Sequence, residues 1–191
     1  MTLWSERSTN EEISDALRQS VPSVGAAPTR TLVLADTHIR PSSSRDLPDE
    51  VWDAAERADV ILHAGDVLTS DLLVRLAELA PVHAVLGNND VTLSPDLPET
   101  LSMDLGGVRV AMLHDSGTRV GRHARLYRRF PEAQVVVYGH SHLPDDSEGE
   151  AGQRIFNPGS CTERRRAPHR TYGWLELADG HVIEHRIIPV L

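Results

Sequence analysis

Short apolar runs alternate with amphipathic segments along the first half of the chain. The apolar runs predict buried strands, whereas the segments between them repeat apolar residues at helical spacing. In the second of these helices we expect the leucines, Leu79 included, to face inward. The strand–helix–strand–helix–strand order predicts a largely parallel sheet with right-handed crossovers. These segments are 31–35, 49–58, 60–62, 70–79 and 82–86.

The second half of the chain is richer in strand patterns. Gly106-Gly107 and Asp179-Gly180 each separate two apolar segments and predict hairpin turns. The stretch 121–130 predicts a helix, and the acidic, glycine-containing stretch 145–152 predicts an exposed loop. The chain is therefore predicted to be α/β first and β-rich later. Further strands are predicted at 101–105, 108–113, 134–138, 154–156, 172–177 and 181–188.

The first 29 residues differ from the rest of the chain. A capped helix start at 8–12 is followed by a proline- and glycine-containing stretch at 21–28. We therefore expect an N-terminal extension over 1–29, weakly ordered or forming one short helix, ahead of one domain at 30–191. The extension lacks the apolar core of a secretory signal, and no apolar run approaches the length of a membrane span. We expect a cytoplasmic protein that makes no membrane contact.

The charge balance excludes several classes of chemistry and partner. All 19 Lys or Arg residues are arginine, and 28 acidic residues give a net charge of -9. An acidic chain is a poor stable partner for nucleic acid, and a chain without lysine has no Schiff-base or P-loop lysine. The single cysteine, Cys161, excludes an internal disulfide and thiolate-rich metal cages. Whether the chain forms an oligomer is left open.

Side chains that bind metals follow the ends of five predicted strands. Ligands collect beyond the carboxyl ends of strands in parallel α/β sheets, so we expect these residues to share one site. Two Asp, one Asn and four His suit Mn, Fe, Zn or Ni better than Ca. Seven ligands exceed the needs of one ion, and one shared carboxylate would give the two-metal arrangement of phosphate-ester hydrolases. The seven are Asp36, His38, Asp66, Asn88, His114, His140 and His142.

This ordered series resembles the calcineurin-like metallophosphoesterase superfamily, and within it the small bacterial and archaeal phosphodiesterase branch. The tetrapeptide Asn157-Pro158-Gly159-Ser160 adds to the resemblance, which spans residues 31 to about 189. The resemblance implies a four-layer αββα sandwich of two mixed β-sheets flanked by helices. It also implies an enzyme that holds two divalent metal ions and hydrolyses small phosphodiesters through a metal-bridging hydroxide. We place Mn first among the metals, with Fe, Ni or Zn as alternatives.

The resemblance also implies a role for each ligand. Asp36, His38 and His142 would hold the first metal, and Asn88, His114 and His140 the second. Asp66 would bridge both metals, so that Asp66, Asn88 and His114 are the predicted catalytic residues.

One position departs from the superfamily pattern. Many members have a histidine, the proposed acid for the leaving group, where this chain has Asn89. An amide donates a hydrogen bond but does not transfer a proton, so we expect a preference for good leaving groups. We assign Asn89 to substrate binding, together with Arg164, Arg165 or Arg166, one of which would hold a substrate phosphate.

Other functions remain open at this point. A phosphomonoesterase or nucleotide phosphatase would use the same metals, and a non-catalytic metal-binding scaffold could keep the same fold. His63 is either a core histidine or a residue that orients Asp66, and Cys161 has no companion base that would make it a nucleophile.

Overall fold

The computed structural model describes residues 27–40 and 43–191. The predicted N-terminal extension therefore lies almost entirely outside the described residues. The described strands are β1 (Thr29–Leu34), β2 (Val60–His63), β3 (Val82–Ala84), β4 (Thr100–Leu105), β5 (Val108–Leu113), β6 (Val135–Val137), β7 (Asp145–Glu148), β8 (Arg154–Asn157), β9 (Thr171–Ala178) and β10 (His181–Pro189). The described helices are α1 (Asp49–Arg57), α2 (Ser70–Ala77) and α3 (Arg122–Arg129), with 3-10 turns at Val91–Leu93 and Glu150–Gly152.

The strands form two mixed sheets of five strands each. The first has the order β10-β9-β1-β2-β3, in which β1, β2 and β3 are parallel and β9 and β10 are antiparallel. The second has the order β4-β5-β6-β8-β7, in which β5, β6 and β8 are parallel and the two edge strands are antiparallel. These sheets confirm the predicted fold class, including the crossover connections and both hairpins.

Three apolar layers hold the sheets and helices together. The layer between the sheets is built from the inward faces of both, with Val33, Leu62 and Met112 among its fully buried residues. A second layer packs α1 and α2 on the outer face of the first sheet. A third layer packs Leu126 of α3 on the outer face of the second sheet. The order helix, sheet, sheet, helix is the predicted αββα sandwich.

Two local predictions are wrong. Leu79 is 39% exposed, because α2 ends at Ala77 and the chain turns before the leucine can reach the core. The stretch 145–152 is not simply an exposed loop, because its first half is β7, which pairs antiparallel with β8. This edge strand carries acidic residues whose partners come from other elements, so no apolar alternation marks it.

No helix among residues 27–40 and 43–191 is long and apolar enough to cross a membrane.

Candidate metal centre

The seven predicted ligands lie on loops that follow β1, β2, β3, β5 and β6. Backbone hydrogen bonds join these loops to one another. Asp36 N–H donates to the carbonyl of Gly65 at 2.9 Å, and His38 N–H donates to the carbonyl of Asp66 at 3.0 Å. Within the second sheet, Gly139 N–H donates to the carbonyl of His114 at 2.9 Å, and across the sheets His140 N–H donates to Oδ1 of Asp36 at 3.1 Å. The two sheets therefore present their strand ends to one another at a single edge.

Most of these ligands have an unusual backbone conformation. Non-glycine residues rarely adopt positive φ, a state that costs about 1–2 kcal/mol per residue. Such strained residues concentrate where function requires a particular side-chain direction. Five of the seven predicted ligands have φ between 46° and 67°, namely Asp36, His38, Asp66, His140 and His142.

The first group of side chains is Asp36, His38 and His142. The Nε2 atoms of the two histidines lie 3.2 Å apart, and Nε2 of His142 lies 3.6 Å from Oδ1 of Asp36. The other oxygen of Asp36, Oδ2, is buried and has no hydrogen-bond partner among the described residues. Burial raises the pKa of Asp36 to about 7, because the charged carboxylate has lost its water. A divalent cation at this point would supply the missing partner for Oδ2.

The second group is Asn88, His114 and His140. Oδ1 of Asn88 lies 3.0 Å from Nε2 of His114 and 2.9 Å from Nδ1 of His140. The two ring nitrogens are 3.3 Å from each other. On its other side, Nδ1 of His114 lies 2.7 Å from the carbonyl of Ala64. That bond orients the ring and leaves Nε2 as the nitrogen directed at the group.

Asp66 lies between the two groups. Its Oδ2 is 3.5 Å from Nε2 of His38 and 3.4 Å from Nε2 of His114. Burial opposes ionisation of this carboxyl, but hydrogen bonds from His114 and Asn89 outweigh it and hold its pKa below the ordinary value. Asp66 is therefore positioned to contact a cation bound at either group. One atom each of Asp36, Asp66 and His114 also fall within 4.8 Å of one another.

The donor set fits divalent transition metals. The converging atoms are carboxylate and amide oxygens and imidazole nitrogens, which are typical ligands of Mn, Fe, Ni and Zn. Asp36 Oδ2 is an unpaired buried oxygen, and uncompensated buried carboxylates are costly. These residues can hold a divalent cation.

Asp90 has a role that the sequence did not reveal. Its carboxylate is buried and accepts three backbone N–H bonds, each of 2.8 Å, from Asp66 and Gly87 on Oδ2 and from Leu68 on Oδ1. Asp90 thereby joins the loop after β2 to the loop after β3. The only sequence signal was its place directly after Asn88-Asn89.

Asn89 contacts the centre through Asp66. Its backbone N–H donates to Oδ1 of Asp66 at 2.8 Å, and its side-chain amide donates to Oδ2 at 2.7 Å. Asn89 is exposed, so it also faces the solvent side of the centre.

Side chains of the Asn-Pro-Gly-Ser turn, and of Thr162 just after it, donate hydrogen bonds to the ligand loops. The Ser160 hydroxyl donates to the carbonyl of Asp36 at 2.8 Å, and the Thr162 hydroxyl donates to the carbonyl of Thr37 at 2.7 Å. The side-chain amide of Asn157 donates to the carbonyl of Gly139 at 3.0 Å. The turn therefore holds the loops after β1 and β6 in place.

His63 and Cys161 are both fully buried. Nε2 of His63 lies 3.0 Å from the hydroxyl of Thr37, the residue between the predicted ligands Asp36 and His38. Burial lowers the pKa of His63 to about 3, so the ring is neutral. Burial raises the pKa of the Cys161 thiol to about 12, which removes it as a nucleophile at neutral pH.

The three consecutive arginines differ in position. Arg165 lines a cavity of about 380 Å³ that also touches His38 and Asn89. Arg164 and Arg166 are exposed and lie outside that lining.

The sequence matches a known protein family over most of its described length. A model described as the calcineurin-like phosphoesterase superfamily domain matches residues 30–180. The chain belongs to the calcineurin-like phosphoesterase superfamily. Among curated metallophosphoesterase relatives, the probable metallophosphoesterase of Methanothermobacter thermautotrophicus is 36% identical over 135 residues, covering 70% of this chain and 77% of that protein. The probable metallophosphoesterase of Methanocaldococcus jannaschii is 30% identical over 165 residues, covering 83% and 80%.

Several solved structures share the fold of this chain. An NMR structure of a Thermotoga maritima protein is 30% identical with a TM-score of 0.65, over 85% of this chain and 99% of that one. A mutant of Vps29 from Entamoeba histolytica is 24% identical with a TM-score of 0.66, over 85% and 99%. An archaeal phosphodiesterase is 19% identical with a TM-score of 0.61, over 84% and 99%. The latter two likenesses show the fold alone.

Proposed function

We propose that this chain is a phosphodiesterase that requires two divalent metal ions. The observation that carries the proposal is the arrangement around Asp66, whose Oδ2 lies within 3.5 Å of a histidine from each ligand group. A carboxylate in this position suits two cations that share one ligand. Two cations that share Asp66 also account for all seven converging side chains, which are more than one ion would use.

Each residue has a defined part in this proposal. Asp36, His38 and His142 would hold one cation, and Asn88, His114 and His140 would hold the other. Asp66 would contribute its carboxylate to both. When bound, such a pair of cations lowers the pKa of water and neutralises charge on phosphoryl oxygens. We propose Mn first, with Fe, Ni or Zn as alternatives.

The neutral ligand Asn88 and the amide of Asn89 shape the electrostatics for an anionic substrate. Asn88 adds an oxygen without adding negative charge, so the loaded centre keeps net positive character. In the reaction one water is consumed: its oxygen bonds to phosphorus, the ester P–O bond breaks, and the electron pair leaves with the alcohol oxygen. Asn89 can donate a hydrogen bond near this point but supplies no proton. The leaving group must therefore be stable as an anion or take its proton from water.

A diester is proposed over a monoester for two reasons. The ordered ligand series resembles the small phosphodiesterase branch, and a solved archaeal phosphodiesterase has the same fold.

The test is hydrolysis of bis(4-nitrophenyl) phosphate and of 4-nitrophenyl phosphate after chelation and re-addition of single metals. We expect turnover that depends on added metal and favours the diester. Asp66→Asn should lower kcat at least a hundredfold, whereas Asp115→Asn, an exposed carboxylate beside His114, should stay within twofold. A faster monoester would make the chain a phosphomonoesterase. Metal binding without turnover of either ester would make it a scaffold.

A further inference from the structure

A cavity of about 380 Å³ opens beside the candidate metal centre. His38 and Asn89 form the wall that it shares with the centre. The remaining lining is polar or charged, and is made up of Arg40, Ser43, Arg45, Glu163 and Arg165. A molecule bound at the centre therefore has room to extend into this cavity.

The cavity is cationic within an acidic protein. Its lining contains three arginines and one carboxylate, that of Glu163, whereas the chain as a whole has a net charge of -9. Arg165 is close enough to the centre to influence the pKa values of Asp36 and His142 electrostatically. Exposed ion pairs contribute little to folding stability, about 0–1 kcal/mol, so stability alone does not account for this cluster.

Within residues 27–40 and 43–191, Glu163 contacts two of the arginines, each through a single nitrogen. Its Oε1 accepts from Arg45 NH1 at 2.6 Å, and its Oε2 accepts from Arg165 Nε at 3.3 Å. A guanidinium has five N–H donors in a planar fork. Each arginine thus contacts Glu163 through one nitrogen and retains N–H groups for an anion, a geometry suited to phosphate.

The backbone of Glu163 is tied to the metal-binding loop. The backbone N–H of Glu163 donates to the Ser160 hydroxyl at 3.0 Å, and that hydroxyl donates to the carbonyl of Asp36 at 2.8 Å. Arg45 and Arg165 are therefore held at a set position relative to the first ligand group.

We propose that Arg40, Arg45 and Arg165 bind a second phosphoryl group of the substrate, so that the preferred substrate is a phosphodiester that carries a further phosphate. This inference rests on the proposed function and adds the substrate class to it. The guanidinium groups contact the distal phosphate, while the scissile phosphate lies at the candidate metal centre.

Two substrates with the same nucleoside and leaving group test the proposal. They are the 4-nitrophenyl ester of thymidine 5′-phosphate and its counterpart with an added 3′-phosphate. We expect the added phosphate to raise kcat/KM at least tenfold, mainly through a lower KM. Arg45→Gln and Arg165→Gln should each remove most of that preference. The matched control Arg128→Gln, which removes an exposed charge on α3, should preserve it.

Binding separates this proposal from the proposed function. Calorimetry of the metal-free chain compares thymidine 3′,5′-bisphosphate with thymidine 5′-phosphate. We expect the bisphosphate to bind at least fivefold more tightly, with the difference lost in Arg165→Gln. Metal-dependent turnover with equal kcat/KM values and equal affinities would overturn the second phosphate site and leave the phosphodiesterase standing. Preferential bisphosphate binding without any turnover would support the phosphate site and overturn the phosphodiesterase.

Discussion

Replacing Asp90 by asparagine should damage both stability and metal binding. The carboxylate accepts three backbone N–H bonds of 2.8 Å in a buried position. Asparagine has one acceptor oxygen, so at least one N–H would face an amide N–H₂, which costs about 1–3 kcal/mol. Loss of the charge weakens the other two bonds by about 0.5–1 kcal/mol each. The expected loss in unfolding free energy is about 2–5 kcal/mol.

The same change should loosen the centre, because Asp66 and Leu68 have positive φ and are held there by these bonds. We expect Mn affinity to fall at least tenfold in calorimetry. In urea, the unfolding midpoint of the metal-free chain should fall, while the dependence of unfolding free energy on urea concentration stays unchanged. The control is Asp104→Asn, whose exposed side chain accepts one bond from Gly107 that an asparagine oxygen can also accept. Unfolding free energy and metal affinity both equal to wild type would refute the anchoring role of Asp90.

Two further predictions concern chemistry at single side chains. Asn89→His should accelerate alkyl esters more than nitrophenyl esters, because a histidine can protonate a poor leaving group; equal acceleration of both, measured at saturating substrate, would contradict this. Cys161 should not react with a disulfide reagent in the native chain at pH 8, since burial raises its thiol pKa to about 12, and should react fully in urea. Rapid labelling of the native chain would contradict its burial.

The crossovers, the hairpins and the ligand loops were predictable because their signals are local, whereas the two-sheet sandwich was expected from the family resemblance. Each ligand follows an apolar strand, and parallel strands bring their carboxyl ends to one edge. The seven side chains converge as that rule requires. The Gly106-Gly107 and Asp179-Gly180 turns likewise encode their hairpins within a few residues.

What the sequence did not reveal depends on contacts between distant segments. Arg40 and Arg45 lie in a polar loop without any pattern, and only folding brings them to Arg165. The acidic strand β7 is stabilised by partners elsewhere, such as the contact of Arg154 with Asp146 at 3.3 Å. Asp90 follows two asparagines in what reads as an ordinary turn, so its three backbone bonds had no separate signal. Side-chain identity alone does not specify such partners.

A left-handed backbone places five of the metal ligands at the expense of stability. These are Asp36, His38, Asp66, His140 and His142. Glycine is the residue that adopts these angles without steric cost, so the unstrained version of each loop is also the one that has lost its ligand. Each replacement by glycine would relieve about 1–2 kcal/mol of backbone strain. Selection for thermal stability alone would therefore replace the ligands one by one. Laboratory evolution of a more heat-resistant form should therefore be screened for turnover in every round, because tolerance to heat and loss of the metal ligands would otherwise increase together.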